Sequence, residues 1–314
     1  MNHYESVDVL IIGGGPAGLS AAMFLGRCMR KVIICDSGEG DSSSRSSTSG
    51  FIGHDGCPPS EFLRIGRQEL GKFDTVNYLR TTVLEVERHG FEFIAVCSNH
   101  RTYSARAVLL ATDFVARPPA IPGAENFMGT SLHQCPYCDG WEHRNQRIGV
   151  IGSDPTAADL AVKLLRWSTH VTLYTNGAEL ANPRTEKRLH KSHIKVVPEP
   201  IAALQGQGSR LEKLRMADGT TNLCDALFYT SPRKYHPLLA ANLGLDLRRL
   251  QAAGGSGAAG ETGVQGLYVS SNDFKTGEFA IIAAADGIRV GEAINNWLTE
   301  ADQSYLAVQQ FSRF

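Results

Sequence analysis

Apolar runs of strand length, each followed by a glycine turn and a longer run with helical spacing, recur along the chain. The first such unit is VDVLIIGGGPAGLSAAMFLGR, and KVIICD follows it as a second predicted strand. The same order returns in RIGVIGSDPTAADLAVKLLRWSTHVTLYTNG. Strands that alternate with helices build parallel sheets covered by helices. The pattern therefore predicts an α/β fold with two tandem dinucleotide-binding, Rossmann-like domains.

Segments rich in Ser, Gly and Pro interrupt this pattern at three places. SGEGDSSSRSSTSG predicts a surface loop, and LQAAGGSGAAGETG breaks the pattern again near residues 250–263. RPPAIPGAENF predicts a connection between domains, because each proline disfavours helix at the preceding residue. A chain of 314 residues has the length of about two domains, so we place a boundary in this connection.

The first glycine turn has the spacing of a dinucleotide-binding motif. Gly13, Gly15 and Gly18 satisfy G-x-G-x-x-G between a strand and a helix. In this motif the first glycine permits the tight turn, the second lets the backbone approach a diphosphate, and the third lets the helix pack on the strand. Asp36 ends the next strand, where a carboxylate accepts hydrogen bonds from an adenosine ribose. The expected cofactor contacts here are Gly13, Gly15, Pro16, Ala17, Gly18 and Asp36.

Charge and hydropathy exclude several classes of partner. The formal net charge is -1 and the isoelectric point is about 6.8, so no bulk attraction to nucleic acid or to an anionic membrane is expected. The longest apolar runs, such as VDVLII, are far shorter than the roughly 20 residues of a membrane span. The N-terminus lacks a signal-peptide pattern. We expect a cytoplasmic protein without a membrane span.

The seven cysteines do not form the pattern of a disulfide framework, because their number is odd and the chain has ample apolar residues for a core. Cys28, Cys35, Cys97 and Cys224 lie in apolar contexts and are predicted to fill the core, whereas Cys57 lies in a polar loop. HQCPYCDGWEHR contains the remaining pair. No second pair at zinc-ligand spacing accompanies it, so no metal is expected.

The motifs together resemble the low-molecular-weight thioredoxin reductases over nearly the whole chain. The resemblance is carried by GGGPAG, an ATD strand end, CPYCDG, a second nucleotide module and the late segment GLYVSSNDF. It implies a discontinuous FAD-binding domain, formed by residues 1–115 and 248–314, around a central NAD(P)-binding-like domain. That central domain, residues 116–247, would carry the CxxC motif.

The late segment matches most of the family's second FAD motif, T-x-x-x-G-x-[FY]-A-x-G-D. Thr262, Gly266 and Tyr268 match it, and Asn272 and Asp273 lie close to the place of its Gly-Asp pair. The resemblance implies that Asp273 and a helix beginning near Ala283 hold the ribityl-diphosphate region of FAD. It also places Ala111, at the ATD strand end, at the cofactor.

By the same resemblance the CxxC pair is a redox-active disulfide. Cys138 would face the flavin, Cys135 would exchange with a partner thiol, and Asp139 would shuttle the proton. The spacing suits this chemistry, because it closes a small ring and lets local amides stabilise one thiolate. His133 and His143 either poise these thiols or are only packed beside them.

The second glycine turn departs from the family where a pyridine nucleotide binds. In IGSDPTAADLA, Asp154 replaces the second glycine and Pro155 follows it. A carboxylate there opposes a diphosphate by both bulk and charge. After the strand VTLY, Thr175, Asn176 and Gly177 stand where NADPH-dependent relatives carry a His-Arg-Arg cluster, and Arg184 is a poor substitute. NADPH is therefore a doubtful cofactor.

Three functions stay open. The favoured one is a flavoprotein that exchanges electrons between FAD and the CxxC pair, and then with a thioredoxin-like protein or a small dithiol or disulfide, without efficient use of NADPH. A conventional NADPH-dependent thioredoxin reductase and a redox sensor without turnover are the alternatives. The resemblance implies a homodimer. Apolar residues of the last helix either contribute to it or pack on their own chain: Trp297, Leu298, Tyr305, Leu306 and Val308.

A vacated nicotinamide cleft is expected to hold something planar. The candidates are an aromatic side chain of the C-terminal tail, namely Tyr305, Phe311 or Phe314, or a second flavin.

Overall fold

The computed structural model describes residues 4–38, 47–112, 118–230, 239, 242–245, 260–270 and 279–311, with side chains of the last segment described through residue 304. The chain divides into two compact units. The first comprises Met1–Ser43, Gly50–Val115 and Lys234–Phe314, and the second comprises Ser44–Ser49 and Ala116–Arg233.

Helices and strands alternate in both units. The helices are α1 (Pro16–Arg27), α2 (Pro59–Leu70), α3 (Pro136–Asp139), α4 (Pro155–Leu164), α5 (Pro183–Lys191) and α6 (Ala280–Phe311). The strands are β1 (Glu5–Ile12), β2 (Val32–Asp36), β3 (Val76–Arg80), β4 (Val83–His89), β5 (Glu92–Cys97), β6 (Thr102–Leu110), β7 (Leu132–His133), β8 (Ile148–Ile151), β9 (Val171–Tyr174), β10 (Lys195–Val197), β11 (Ile201–Gln207), β12 (Arg210–Met216), β13 (Thr221–Leu223), β14 (Ala226–Tyr229) and β15 (Leu267–Val269).

The first unit is built on a mixed sheet with the strand order β3-β2-β1-β6-β5-β4, in which β15 also pairs with β6. Strands β1, β2, β3, β6 and β15 pair in parallel, whereas β4 and β5 add an antiparallel edge. The central strand β1 is buried on both faces at Val9, Leu10 and Ile11. Such burial explains why its sequence is a continuous apolar run rather than an alternating one.

Helix α6 packs along α1 in the first unit. A Cβ on Gly287 would lie 2.1 Å from the backbone oxygen of Ala17, so the two helices approach more closely than any larger residue allows. Arg30 donates through Nη1 to Asp302 at 2.7 Å, and Arg106 contacts the other oxygen of the same carboxylate at 2.7 Å. These contacts fix the second half of α6 against the sheet and α1.

The second unit contains a parallel sheet with the order β10-β9-β8-β14-β7 and a small antiparallel sheet, β11-β12-β13. Helix α4 follows β8 and packs on β8 and β9. The strand, turn, helix, strand order of the first unit is thus repeated, and the α/β fold with two Rossmann-like layers is confirmed.

The return of the chain to the first unit comes earlier than the sequence indicated. Residues 234–247 were assigned to the central domain, yet the first unit resumes at Lys234. Leu239, Leu243 and Leu245 lie in the apolar core of the first unit, together with residues of β1. Burial of these leucines accounts for the difference.

Within the described residues, no helix combines the length and the hydropathy that a membrane crossing requires. Helix α6 buries Leu298 completely in the core of its own unit, and Trp297 packs against the same core. Leu298 therefore has no exposed surface for a dimer contact, whereas Trp297 is half-buried. Tyr305, Leu306 and Val308 have side chains outside the described residues, and the homodimer stays a prediction.

Candidate functional site

The first glycine turn leaves space at the N-terminus of α1. Gly13 has φ +116° and donates its amide to the carbonyl of Cys35 at 2.8 Å. A Cβ on Gly18 would lie 2.0 Å from the oxygen of Gly13, so only glycine permits this approach of helix to turn. Gly15 is the N-cap, and among the described residues nothing apart from its chain neighbours lies within 4 Å of the position that its Cβ would take. The helix terminus is thus open to an anionic ligand such as a diphosphate.

Asp36 closes the other side of this turn. Its Oδ1 accepts the amide of Gly38 at 3.0 Å, and its Oδ2 accepts the hydroxyl of Tyr78. A Cβ on Gly14 would lie 2.5 Å from the Asp36 carboxylate, so the turn lies directly beside this group. Burial, and secondly the hydrogen bond to Asp36, raise the pKa of Tyr78 to about 12. Tyr78 therefore stays a donor and orients the carboxylate, which fits a ribose hydroxyl.

The other predicted cofactor residues have different positions. Ala111 follows β6, donates its amide to Ile12 at 2.8 Å, and supplies the carbonyl that faces Gly13. Helix α6 begins at Ala280, three residues before the predicted start. Ala283 is buried in the core, and its amide donates to the carbonyl of Phe279 at 3.2 Å. Ala283 thus packs the helix rather than presenting a free amide, and Asp273 lies outside the described residues.

The second glycine turn repeats the backbone of the first. Gly152 has φ +144° and donates its amide to Tyr174 at 3.0 Å, as Gly13 donates to the end of β2. Asp154 occupies the N-cap of α4 with φ -86° and ψ 167°, close to the φ -74° and ψ -176° of Gly15. Asp154 Oδ1 accepts the amide of Ala157 at 2.8 Å. The side-chain carboxylate thus binds the amide that a diphosphate would otherwise approach.

Residues 175–177, at the end of β9, supply no cation for a ribose phosphate. Thr175 is buried, Asn176 accepts the amide of Ile201 through Oδ1 at 2.7 Å, and Gly177 has φ +84°. Arg184 lies exposed in the first turn of α5. Among the described residues, the buried Oγ1 of Thr175 has no hydrogen-bond partner, whereas the side chain of Asn176 is bonded within its own unit.

The CxxC motif forms a disulfide in the second unit. Cys135 and Cys138 are bonded, their Cα atoms lie 5.3 Å apart, and each residue is 3% exposed. Cys135 is the N-cap of the one-turn helix α3, and its Sγ accepts the amide of Cys138 at 3.1 Å. Ser49 donates its hydroxyl to the Cys138 carbonyl at 2.7 Å. An amide aimed at Sγ stabilises a thiolate on Cys135 when the disulfide opens.

A chain of polar side chains leads away from the disulfide. Asp139, 9% exposed, has its Oδ1 3.3 Å from Nδ1 of His133. The Nε2 atoms of His133 and His143 lie 2.8 Å apart, and Nδ1 of His143 lies 2.9 Å from Oε1 of Gln146. The ring of Phe228 packs against both imidazoles. The two histidines are therefore held in one geometry by β14 and by each other.

Burial and the neighbouring His133 lower the pKa of His143, while the hydrogen bond to Gln146 and the charges of Asp139 and Asp225 oppose the shift. Arg147 binds Asp225 through two nitrogens, at 2.8 and 2.5 Å, and this pairing lowers the pKa of the Asp225 carboxyl. His143 is thus neutral near neutral pH beside an ionised carboxylate.

The remaining cysteines behave as predicted where they are buried. Cys35, Cys97 and Cys224 are in the core, and burial raises the pKa of Cys224 to about 12. Cys57 is half-buried, and so is Cys28, which differs from the predicted core position because Cys28 is the C-cap of α1. Among the residues that the structure describes, no group of three or more His, Cys, Asp or Glu side chains is placed to hold a metal ion.

Two features of the sites escaped the sequence analysis. Tyr78 orients Asp36, and no local pattern marks it, because β3 reaches β2 only through the sheet. The contact between His133 and His143 was also missed, although both residues were noted beside the CxxC motif. Their spacing of ten residues gives no helical or strand periodicity that would join them.

Comparison with known proteins agrees with this arrangement. The sequence profile of the family described as "Pyridine nucleotide-disulphide oxidoreductase" matches residues 7–271. The thioredoxin reductase tcpT of Claviceps purpurea (strain 20.1) is 30% identical over 261 residues, which cover 78% of this chain and 80% of that protein. The match spans 80% of tcpT, 71% of the thioredoxin reductase of Helicobacter pylori (strain J99 / ATCC 700824), and 44% of the "Probable thioredoxin reductase" of Arthroderma benhamiae.

Two solved structures share the fold over nearly all of the chain. The crystal structure of a thioredoxin reductase TrxB from Bacillus anthracis has a TM-score of 0.88 at 32% identity and covers 94% of this chain and 99% of that one. The crystal structure of HlmI has a TM-score of 0.90 at 28% identity and covers 100% of this chain and 98% of that one.

Proposed function

Because the chain belongs to the pyridine nucleotide-disulphide oxidoreductase family and is a thioredoxin reductase-like flavoenzyme, we propose that it exchanges electrons between FAD and the Cys135–Cys138 pair, and between that pair and a dithiol or disulfide partner, without efficient use of NADPH. Bound FAD supplies the two-electron acceptor and donor for this exchange. The first glycine turn, with Asp36 beside it, suits the adenosine diphosphate part of FAD.

The observation that carries the proposal is the contrast between two helix N-termini with the same backbone. At α1 the N-cap is Gly15, and the space in front of it is open. At α4 the N-cap is Asp154, whose carboxylate is bonded to the amide of Ala157. A diphosphate at α4 would have to displace this cap and would meet its negative charge. The first terminus suits a dinucleotide, and the second opposes one.

The disulfide chemistry follows from the residues around the pair. A partner thiolate attacks Sγ of Cys135, the Cys135–Cys138 bond breaks, and its electron pair stays on Cys138. A second thiolate of the partner then attacks the mixed disulfide and releases Cys135. The amide of Cys138, aimed at Sγ of Cys135, favours this release. Asp139, the residue after Cys138, transfers the proton of this exchange.

The disulfide chemistry indicates the class of redox partner, which we propose is a thioredoxin-like protein or a small molecule with a dithiol or disulfide. We also propose that the protein is a homodimer in the cytoplasm without a nucleic-acid partner. We further propose that a planar group occupies the nicotinamide cleft, either an aromatic side chain of the C-terminal tail or a second flavin. The number of flavins released per chain on denaturation distinguishes them, because one flavin indicates the aromatic side chain and two indicate the second flavin.

Anaerobic titration of the purified protein tests the proposal. NADPH, NADH and dithiothreitol are added in turn while the flavin absorbance is followed. Stoichiometric bleaching by dithiothreitol alone is the expected result. Rapid stoichiometric bleaching by NADPH would instead indicate a conventional NADPH-dependent thioredoxin reductase, and slow bleaching by every reductant, without turnover, would indicate a redox sensor.

A further inference from the structure

We propose that His133 and His143 form a proton relay that carries the proton released during dithiol oxidation from Asp139 to a polar cavity behind the disulfide. The proposal rests on the proposed function, because it concerns the proton of the same disulfide exchange. It adds two histidines to the residues that carry the reaction, and it gives them a direction of transfer.

The direction follows from the hydrogen-bond polarity of the chain. Oε1 of Gln146 can only accept, so Nδ1 of His143 carries a hydrogen and donates it. In the neutral imidazole the other nitrogen is then an acceptor, so Nε2 of His143 accepts from Nε2 of His133. His133 therefore faces Asp139 with Nδ1, which lies 3.3 Å from Oδ1 of the carboxylate. Every donor in the chain points away from the disulfide.

The relay ends at a place that can receive a proton. A cavity of about 210 Å³ is lined by the polar residues Thr130, Ser131, His143, Gln146, Ser209, Arg210 and Asp225. A volume of this size holds several water molecules, since one needs only about 10–15 Å³ of the same measure. The carboxylate of Asp225, ionised by its pairing with Arg147, attracts a proton into the cavity, whereas the positive charge of Arg210 opposes it.

The electrostatics of His143 suit a carrier rather than a permanent cation. Burial and His133 lower its pKa, so the imidazole is neutral between transfers and does not trap the proton. Asp139 and Asp225, on either side, favour the transient cation. A histidine with these neighbours accepts a proton at Nε2 and releases one at Nδ1.

The proton balance is complete with the groups already named. A dithiol and the enzyme disulfide give the substrate disulfide, a Cys135 thiol, a Cys138 thiolate and one proton. One S–S bond forms in the substrate, and the Cys135–Cys138 bond breaks. The dithiol is oxidised by two electrons, and the enzyme disulfide is reduced. The released proton passes from Asp139 to His133, then to His143, and then to the cavity.

Chemical rescue tests the relay in the purified full-length holoprotein. The rate of opening of the Cys135–Cys138 disulfide by dithiothreitol is measured by rapid acid quench, alkylation and mass spectrometry, which does not depend on the flavin signal. His143→Ala is expected to slow this rate by about tenfold or more, since a positioned acid–base group contributes about 10²–10⁴-fold. Added imidazole should restore the rate, because the cavity and the vacated space admit it.

Three control variants separate a relay from a structural role. His143→Phe fills the vacated space, so it is expected to be slow and not rescued. His133 does not line the cavity and is only 5% exposed, so His133→Ala should also be slow and should resist rescue by imidazole. His190→Ala, on the exposed face of α5, should leave the rate unchanged.

Different outcomes would contradict the relay and the proposed function. A His143→Ala rate within twofold of the wild-type rate, or a slow rate that imidazole does not restore, overturns the relay. If the wild-type disulfide itself were not opened by dithiothreitol, the proposed function would fail first.

Discussion

Substitution of Asp154 by glycine should turn the N-terminus of α4 into a copy of the terminus that suits FAD. The backbone needs no change, because the φ and ψ of Asp154 already match those of Gly15. Loss of the side-chain cap to Ala157 costs only a few tenths of a kcal/mol when glycine is the replacement. The variant is therefore expected to fold normally, so its ligand binding can be compared directly with that of the wild type.

The expected gain follows from the removed charge. Two unit charges about 4 Å apart repel by about 1 kcal/mol in water and about 4 kcal/mol at an effective dielectric constant of 20. Since about 1.4 kcal/mol corresponds to a tenfold change in affinity, Asp154→Gly should lower the Kd for NADPH by between about fivefold and several hundredfold. NADH should gain as much, because the end of β9 supplies no cation for a 2′-phosphate.

Isothermal titration calorimetry of the wild type, Asp154→Gly and Asp154→Asn with each nucleotide measures this gain. Asn keeps an acceptor for the amide of Ala157 but removes the charge, so it separates repulsion from obstruction. We expect the affinity order Gly, Asn, Asp. The reasoning is refuted if Asp154→Gly binds NADPH no better than the wild type, or if the wild type already binds it at micromolar concentration.

Three further predictions concern the flavin, the disulfide and the fold. Gly15→Asp places a carboxylate in the open space before α1, so the yellow wild-type protein should become a variant without FAD, as judged by its absorbance and by loss of FAD-dependent thermal stabilisation. Cys135→Ser should keep FAD but lose exchange with dithiols, whereas Cys138→Ser should lose electron flow to the flavin; wild-type turnover by Cys138→Ser would exclude the disulfide mechanism. Gly287→Ala forces a Cβ toward the Ala17 carbonyl and should destabilise the protein by about 1–3 kcal/mol in urea unfolding, and an unchanged midpoint would show that the helices separate freely.

Local patterns predicted the parts of the fold that depend on near neighbours. The apolar runs of β1 and β2, the glycine turn between β1 and α1, and the second turn before α4 all lie where the sequence indicated. Each depends on burial or backbone conformation within about ten residues. Such requirements leave a periodic or motif-like trace in the chain.

Long-range pairing left no such trace. Tyr78 reaches Asp36 because β3 pairs with β2, and the early return to the first unit depends on Leu239, Leu243 and Leu245 packing against a distant sheet. Neither contact has a partner nearby in sequence. Local sequence therefore does not show where the chain returns to the first unit.

In the second glycine turn, the residues that pack the helix on the strand differ from the residue that would contact a ligand. Gly152 and Ala157 are the positions that bring the helix onto the strand, and a Cβ on Gly152 would lie 2.5 Å from the Cβ of Ala157. Both are retained, and the backbone of the turn is intact. Asp154 is the position that would meet a diphosphate. The first turn has a small, uncharged glycine there, whereas the second has a larger, negatively charged residue. A strand and helix can thus keep their packing while the residue at the proposed diphosphate position changes, because different residues carry the two tasks.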